Sequence, residues 1–281
     1  MDTLIEYFSD MPALHRAALL VCGITLWFIV EGLRPMKSDS YKRGSHAATN
    51  LFFTATTGII YLPLTIVLLA VSDWTAKENF GIVQWIDGGH LVDLIVGLVI
   101  LDFFAAWLAH YCFHRYATIW RFHLIHHIDQ NLDTTSANRH HPGESVIRFA
   151  FAVVGVAVVG APLWVAVVHQ SLSAMISQFN HSNVEMPDKL DRALRLVICT
   201  PNMHRSHHHY RQPYSDTNFG NLFSFYDRLM GTYSIVDNHK LIYGVDTYMD
   251  KDHADDIRVL LTVPFGPYRR PPHYQIPENL S

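Results

Sequence analysis

Residues 149–179 read FAFAVVGVAVVGAPLWVAVVHQSLSAMISQF, a run without a single Asp, Glu, Lys or Arg. As one straight helix it would be about 46 Å long at ~1.5 Å per residue, well over the ~30 Å apolar thickness of a bilayer. Its two ends would then face opposite sides of a membrane. Yet histidines crowd both flanks: thirteen of the nineteen in the chain lie between His110 and His209. If they meet at one place, the run must turn back. Gly155 and then Gly160-Ala161-Pro162 supply the means. The expectation is a helical hairpin with its tip near Gly160. The alternative is an ordinary single span separating two unrelated histidine groups.

Other apolar runs surround this one. Hydrophobic residues make up 49% of the 281, and charged residues only 16%, against roughly 25% in soluble domains. The charges gather between long uncharged stretches, which favours membrane spans over a uniformly apolar core. Ala17–Val30 is short for a span but extends through Met11–Leu14 and Gly32-Leu33. Ala47–Val71 is uncharged and contains Pro63, which membrane helices tolerate. Leu91–Ala109 carries Asp93 and Asp102, and a carboxyl at that depth should face protein or a polar cavity. The expected fold is an all-α integral membrane protein, one domain over residues 1–281. It has about four transmembrane segments including the hairpin, and a histidine-rich helical cap.

Basic residues set the orientation. The loop RPMKSDSYKRG (34–44) holds Arg34, Lys37, Lys42 and Arg43, whereas residues 72–90 hold only Lys77. The first loop is therefore expected in the cytoplasm, with the histidine cluster on the same side. A net charge of −4 and no basic face argue against nucleic acid. Cys22, Cys112 and Cys199 have no paired spacing, so neither a disulfide framework nor a CxxC site is expected. The N-terminus lacks a basic region and a cleavage site, so the first run reads as a retained span. A proline-rich tail from Pro264 is expected to wrap the surface.

Three clusters carry the chemistry: HYCFH (110–114), HLIHH (123–127) and HRSHH (204–208). His110 and His114 share a helix face. His126 and His127 fan apart by about 100°, which suits neighbours serving two different ions. The third cluster repeats the H-x2-HH spacing. Eight or more histidines exceed the needs of one zinc, and the H-x3-H lacks the Glu of a zinc protease motif. Imidazole suits iron, zinc, copper or nickel. Two redox-active ions beside a lipid-facing cavity point to oxygen activation against a C–H bond, with iron the expected ion.

These boxes, in this order beside apolar runs, resemble those of the fatty acid hydroxylase/sterol desaturase superfamily. IWRFHLIHHIDQNLD, NRHHPGE and HRSHHHYRQPYSDTNFGNLFSFYDRLMGTY are similar to its recurring segments. The likeness covers roughly residues 90–245, and the second half is also similar to the alkylglycerol monooxygenase branch. The resemblance implies a two-iron, O2-dependent membrane enzyme that hydroxylates or desaturates a lipid: a sterol, a fatty acyl chain or an ether lipid. It implies His110, His114, His123, His126, His127, His204, His207 and His208 as metal ligands, with His181 of FNHSN as a ninth. His140 and His141 stay outside that set and His209 beside it. No flavin, haem or ferredoxin motif is present, so electrons must come from a separate protein or a small reductant, a pterin if the alkylglycerol monooxygenase likeness holds. A membrane metal-binding or metal-transport protein is the alternative, although its ligands should then line a path within the spans.

Further expectations concern the surroundings. Asp102, Asp133, Glu144, Asp216 and Asp227 are candidates to accept the second N–H of a ligand histidine, with Asp216 and Asp227 preferred. Asn202 and Asn218 could bind a metal-bound water. Phe103, Phe104, Trp107, Tyr111 and Phe113 could line a lipid channel or simply form core. His169 should bond a backbone carbonyl, while His15, His46, His90, His239, His253 and His273 read as surface or loop residues.

Overall fold

The computed structural model describes residues 1–38, 41–86, 88–250, 254–267 and 269. The expectation for the proline-rich tail falls largely outside these residues, as do His253 and His273. Regular structure among the described residues is helical, with isolated bridges such as Pro35–Val184 and Ile198–Phe223. Helix α1 (Asp2–Ser9) precedes α2 (Ala13–Leu33) and the long α3 (Arg43–Lys77), which runs through Pro63 unbroken. A short α4 (Ile82–Ile86) leads to α5 (His90–Asp102), which continues through a π-helical turn, Phe103–Leu108, into α6 (Ala109–Arg115). Then come α7 (Ala117–His127), α8 (Pro142–Val159) and α9 (Leu163–His181). The cap adds α10 (Asp188–Leu194), α11 (Pro201–His207), α12 (Phe225–Leu229) and α13 (Ile257–Thr262).

Four stretches are long and apolar enough to cross a membrane: Ala13–Leu33, Arg43–Ile86, His90–Arg115 and Pro142–Val159. Their outer faces expose Val21, Leu26, Ile29, Ile59, Leu62 and Ile66. Apolar surface of that extent needs lipid around it, and the chain is an integral membrane protein.

The charge-free run does reverse, and at the expected place. Gly160 ends α8 in the left-handed region at φ +68°, and Pro162 caps α9. A side chain at Gly160 would strike the Phe80 carbonyl oxygen at 2.4 Å. The tip is clasped from the far end of the bundle: Ser72 Oγ donates to the Ala161 carbonyl at 2.8 Å, and Gln84 Nε2 to the Gly160 carbonyl at 2.9 Å. The arms have 18 and 19 residues, each about 27–28 Å long at ~1.5 Å per residue. Helix α3 packs along α8, α2 along α9, and α5 between both arms. Residues of α5, α8 and α9, among them Leu101, Val156 and Val165, form the largest buried cluster.

Asp102 shows how a carboxylate persists at this depth. It is fully buried and accepts the backbone N–H groups of Leu222 and Phe223 at 3.3 and 3.0 Å. Asp227 likewise takes the N–H groups of Phe219 and Gly220 at 2.8 and 2.9 Å. The Tyr226 hydroxyl donates to the Val99 carbonyl of α5. An irregular segment beside a spanning helix is tolerated because its polar backbone is satisfied by protein.

Candidate metal centre

The bundle brings the helix ends that carry histidines to one place. Tyr116, extended at φ −113° and ψ 110°, breaks α6 from α7 and lets the two fold together. His110 Nε2 then lies 3.1 Å from His123 Nε2, and His114 Nε2 lies 3.1 Å from His127 Nε2. The hairpin returns His181 to within 3.1 Å of His126. Helix α11 starts on Thr200, whose hydroxyl accepts the Met203 N–H, with Pro201 at its first position. It places His204 Nε2 3.0 Å from His181 and 3.2 Å from His208. The His207 ring centroid is 4.4 Å from that of His110.

Two groups result whose candidate ligand atoms lie within 4.8 Å of one another: His110, His114, His123, His127 and His207; and His126, His181, His204 and His208. The neighbours His126 and His127 fall in different groups, as do His207 and His208. Successive helical residues point about 100° apart, so each HH pair straddles the two. All nine histidines singled out in the sequence are gathered here.

Whether these residues suit metal ions can be tested on the ring nitrogens. Burial, then the closeness of the other imidazoles, holds His123, His126, His127, His204, His207 and His208 well below the ordinary histidine value. They are neutral, the form that ligates a metal. His123 Nδ1–H donates to Glu144 Oε1 at 2.8 Å, and His110 Nδ1–H to the Phe219 carbonyl at 3.1 Å. Each ring therefore carries a lone pair on Nε2, and those two nitrogens face each other at 3.1 Å. Two lone pairs cannot hydrogen-bond; a cation between them removes the conflict. Nitrogens about 2.1 Å from one ion and at right angles would sit about 3.0 Å apart. His207 Nε2, buried and without a partner among the described residues, fits the same demand. The donor set suits a pair of transition-metal ions.

The backing groups differ in part from the expected ones. Glu144 serves His123, and Asp216 accepts from His114 Nδ1 at 3.1 Å. Backbone carbonyls serve two more, Thr217 for His207 at 2.6 Å and Ser177 for His181 at 2.7 Å, while Nδ1 of His126, His127, His204 and His208 is buried without a partner among the described residues. Asp227 touches no histidine but anchors the Phe219 segment that serves His110. Asp102 and Asp133 are occupied elsewhere. Asn202 Oδ1 accepts from Arg205 at 3.1 Å, and Asn218 Nδ2 donates to the Met203 and Ser234 carbonyls. His46, expected at the surface, is buried between Asp129 at 2.9 Å and Asp133 at 3.1 Å. His169 has Asp102 rather than a carbonyl beside it, at 3.6 Å. His141 caps α8 by accepting the Gly143 N–H. Apolar spacing gives no hint of these partners; the carboxylate of HP-x-E was the one legible signal for Glu144.

A cavity of about 380 Å³ leads from between α2, α3, α8 and α9 down to His110, His123, His126, His181 and His204. Tyr61, Leu101, Phe149 and Val156 line its walls. The expected aromatic channel residues are elsewhere: Phe103, Trp107 and Tyr111 stack in a ladder against Phe219 and Tyr226, as core. A smaller, polar cavity of about 120 Å³ reaches His114 beside Trp120, Asp216 and Arg269.

Comparison with known proteins follows the same lines. Residues 94–232 match the family model described as fatty acid hydroxylase. The ornithine lipid hydroxylase OlsE of Rhizobium tropici is 26% identical over 234 residues, covering 80% of this chain and 69% of that protein. The alkylglycerol monooxygenase of Danio rerio is 28% identical over 150 residues, 52% of this chain and 32% of that one. The Homo sapiens alkylglycerol monooxygenase is 26% identical over 142 residues, 48% and 30% of the two chains. The alignment thus spans about a third of the length of these monooxygenases. No solved structure matches the chain. With its histidine boxes, its apolar spans and the match over residues 94–232, this region of the chain belongs to the fatty acid hydroxylase family.

Proposed function

We propose that this protein is a membrane-bound, two-iron, O2-dependent oxidoreductase that hydroxylates a lipid. The observation that carries the reading is the pair of buried histidine groups at the end of an apolar cavity, with the His110 and His123 Nε2 lone pairs facing one another at 3.1 Å. One iron would be held by His110, His114, His123, His127 and His207, the other by His126, His181, His204 and His208. Bound there, the ions would supply O2-activating redox chemistry, by which, with two electrons and two protons from outside, one oxygen atom of O2 would enter a C–H bond and the other would leave as water.

The protein's own residues prepare the ground. Glu144, Asp216 and the Phe219, Thr217 and Ser177 carbonyls fix the tautomer and aim of His123, His114, His110, His207 and His181. The apolar walls hold the lipid chain and keep water from the reacting carbon. The names of the relatives, a hydroxylase and a monooxygenase, favour hydroxylation over desaturation. Electrons come from a separate donor protein or a small reductant. Basic Arg43 pairs at 2.8 Å with Glu31 at the histidine end of the bundle, where Glu31 accepts from Thr134 and Asn183; the charge rule puts that end in the cytoplasm. A metal transporter would set its ligands along a path. Here they gather in one cluster, which counts against that alternative.

Metal analysis of detergent-purified protein tests the reading. About two irons per chain are expected, with O2 consumption coupled to a hydroxylated lipid. Stoichiometric zinc that iron cannot replace, with no lipid product, would overturn it.

A further inference from the structure

Within NRHHPGE, the metal groups and the fold use only part of the motif. Arg139 is buried and ties the Ile125 carbonyl to Asp255. His141 caps α8, and Glu144 holds His123. Asn138 and His140 remain, and both line the cavity that ends at the histidines. One turn beyond Glu144 on α8, Arg148 lines it too.

These side chains have unspent hydrogen-bond capacity. Asn138 Nδ2 and Arg148 Nε are buried without a hydrogen-bond partner among the described residues. Arg148 Nη2 meets Glu144 Oε1 at 2.7 Å, and its guanidinium lies over Phe113 at 5.2 Å, so its charge is balanced but its donors are not exhausted. Buried donors without acceptors are costly, and a cation inside a membrane bundle is by default a functional group. The place is also specific. Glu144 joins Arg148 to His123, and the His140 ring lies 5.5 Å from that of His126. The corner therefore adjoins both histidine groups, while the remaining walls of the cavity are largely apolar.

We propose that Asn138, His140 and Arg148 form a polar corner that receives a carbonyl or carboxylate oxygen at the head of the lipid. The substrate then lies head-first, with its tail along Tyr61, Leu101, Phe149 and Val156, and the carbon oxidised is close to the head rather than mid-chain. This deepens the proposed function, since it takes the cavity to be the lipid site.

Binding tests it directly. The full chain, stripped of metal and held in zwitterionic nanodiscs, is titrated with tritiated laurate, lauramide and dodecane in a scintillation proximity assay. Wild type should prefer laurate and lauramide over dodecane by about tenfold, the scale of one good polar contact. Asn138→Leu and Arg148→Lys should each remove most of that preference and leave dodecane binding unchanged. Asn138→Leu leaves the Glu144–His123 pair untouched, so its effect is not a disturbance of the metal groups. Dodecane binding wild type as tightly as laurate, or both variants keeping the full preference, would overturn the proposal. Because no metal is present, the result stands apart from the redox reading: a protein that sorts head groups yet binds only zinc would sink the reaction and leave this corner intact.

Discussion

His46 and His123 are alike in burial, each about 1% exposed, and each gives one ring N–H to a carboxylate. They differ at the other nitrogen. His46 has a second carboxylate there, Asp129 at 2.9 Å; His123 has another imidazole, His110 at 3.1 Å. Acceptors on both sides call for an imidazolium, a fixed cation that pins α3 to the loop after α7. Asp129 reflects it: burial alone would raise its carboxyl, but the His46 and Arg139 charges hold it below the usual carboxylate range. An acceptor on one side and a lone pair facing a lone pair on the other leave a nitrogen to bind metal. Burial does not distinguish a ligand histidine from a structural one; the second partner does.

The sharpest way to break this contrast is to remove one ring from each group. His126→Ala and His207→Ala should each abolish lipid oxidation and lower the metal count from two per chain, with the protein still in the membrane. Full metal occupancy in either variant would dissolve the corresponding group. His46→Ala should act on the fold instead. It leaves buried Asp133 without its cation and Asp129 with Arg139 alone, a loss of ~3–5 kcal/mol and roughly 10 °C in Tm. Metal per folded chain should not change; metal loss at an unchanged Tm would move His46 to the other side of the comparison. Glu144→Gln keeps an acceptor for His123 but drops the charge, so metal affinity, read by chelator competition, should fall about tenfold. Asp216→Asn should cost less, a few-fold, because that carboxylate is 42% exposed and screened by water. An Asp216 effect larger than that of Glu144 would reverse the ranking of the two supports.

Much of this plan is legible in the chain. The uncharged runs give the spans, the H-x3-H and H-x2-HH spacings give the clusters, and Gly160-Ala161-Pro162 gives the reversal that lets them meet. The clasp on the hairpin's tip was not legible, because it depends on Ser72 and Gln84 reaching the tip from the far end of α3 and from α4. Nor was the role of His46, whose partners lie 83 and 87 residues away. Asp216 and Glu144 are legible as candidate backing carboxylates, but which ring each serves is not until the fold brings them to His114 and His123. Asp227 was chosen for nearness in sequence to the last box, yet it acts through the Phe219 backbone.

The π-helical turn at Phe103–Leu108 separates Asp102 from His110 on what is otherwise one continuous rod. Such a turn is wider than α-helical register by about one residue. The turn takes up that residue's ~100° of rotation, so the helix on its far side keeps its facing. Closed into α geometry with all six residues kept, it would swing everything beyond it by about 100°. Asp102 would still grip Leu222 and Phe223, while His110 and His114 rotated away from their companions, and the centre would come apart without a change in any of its ligands.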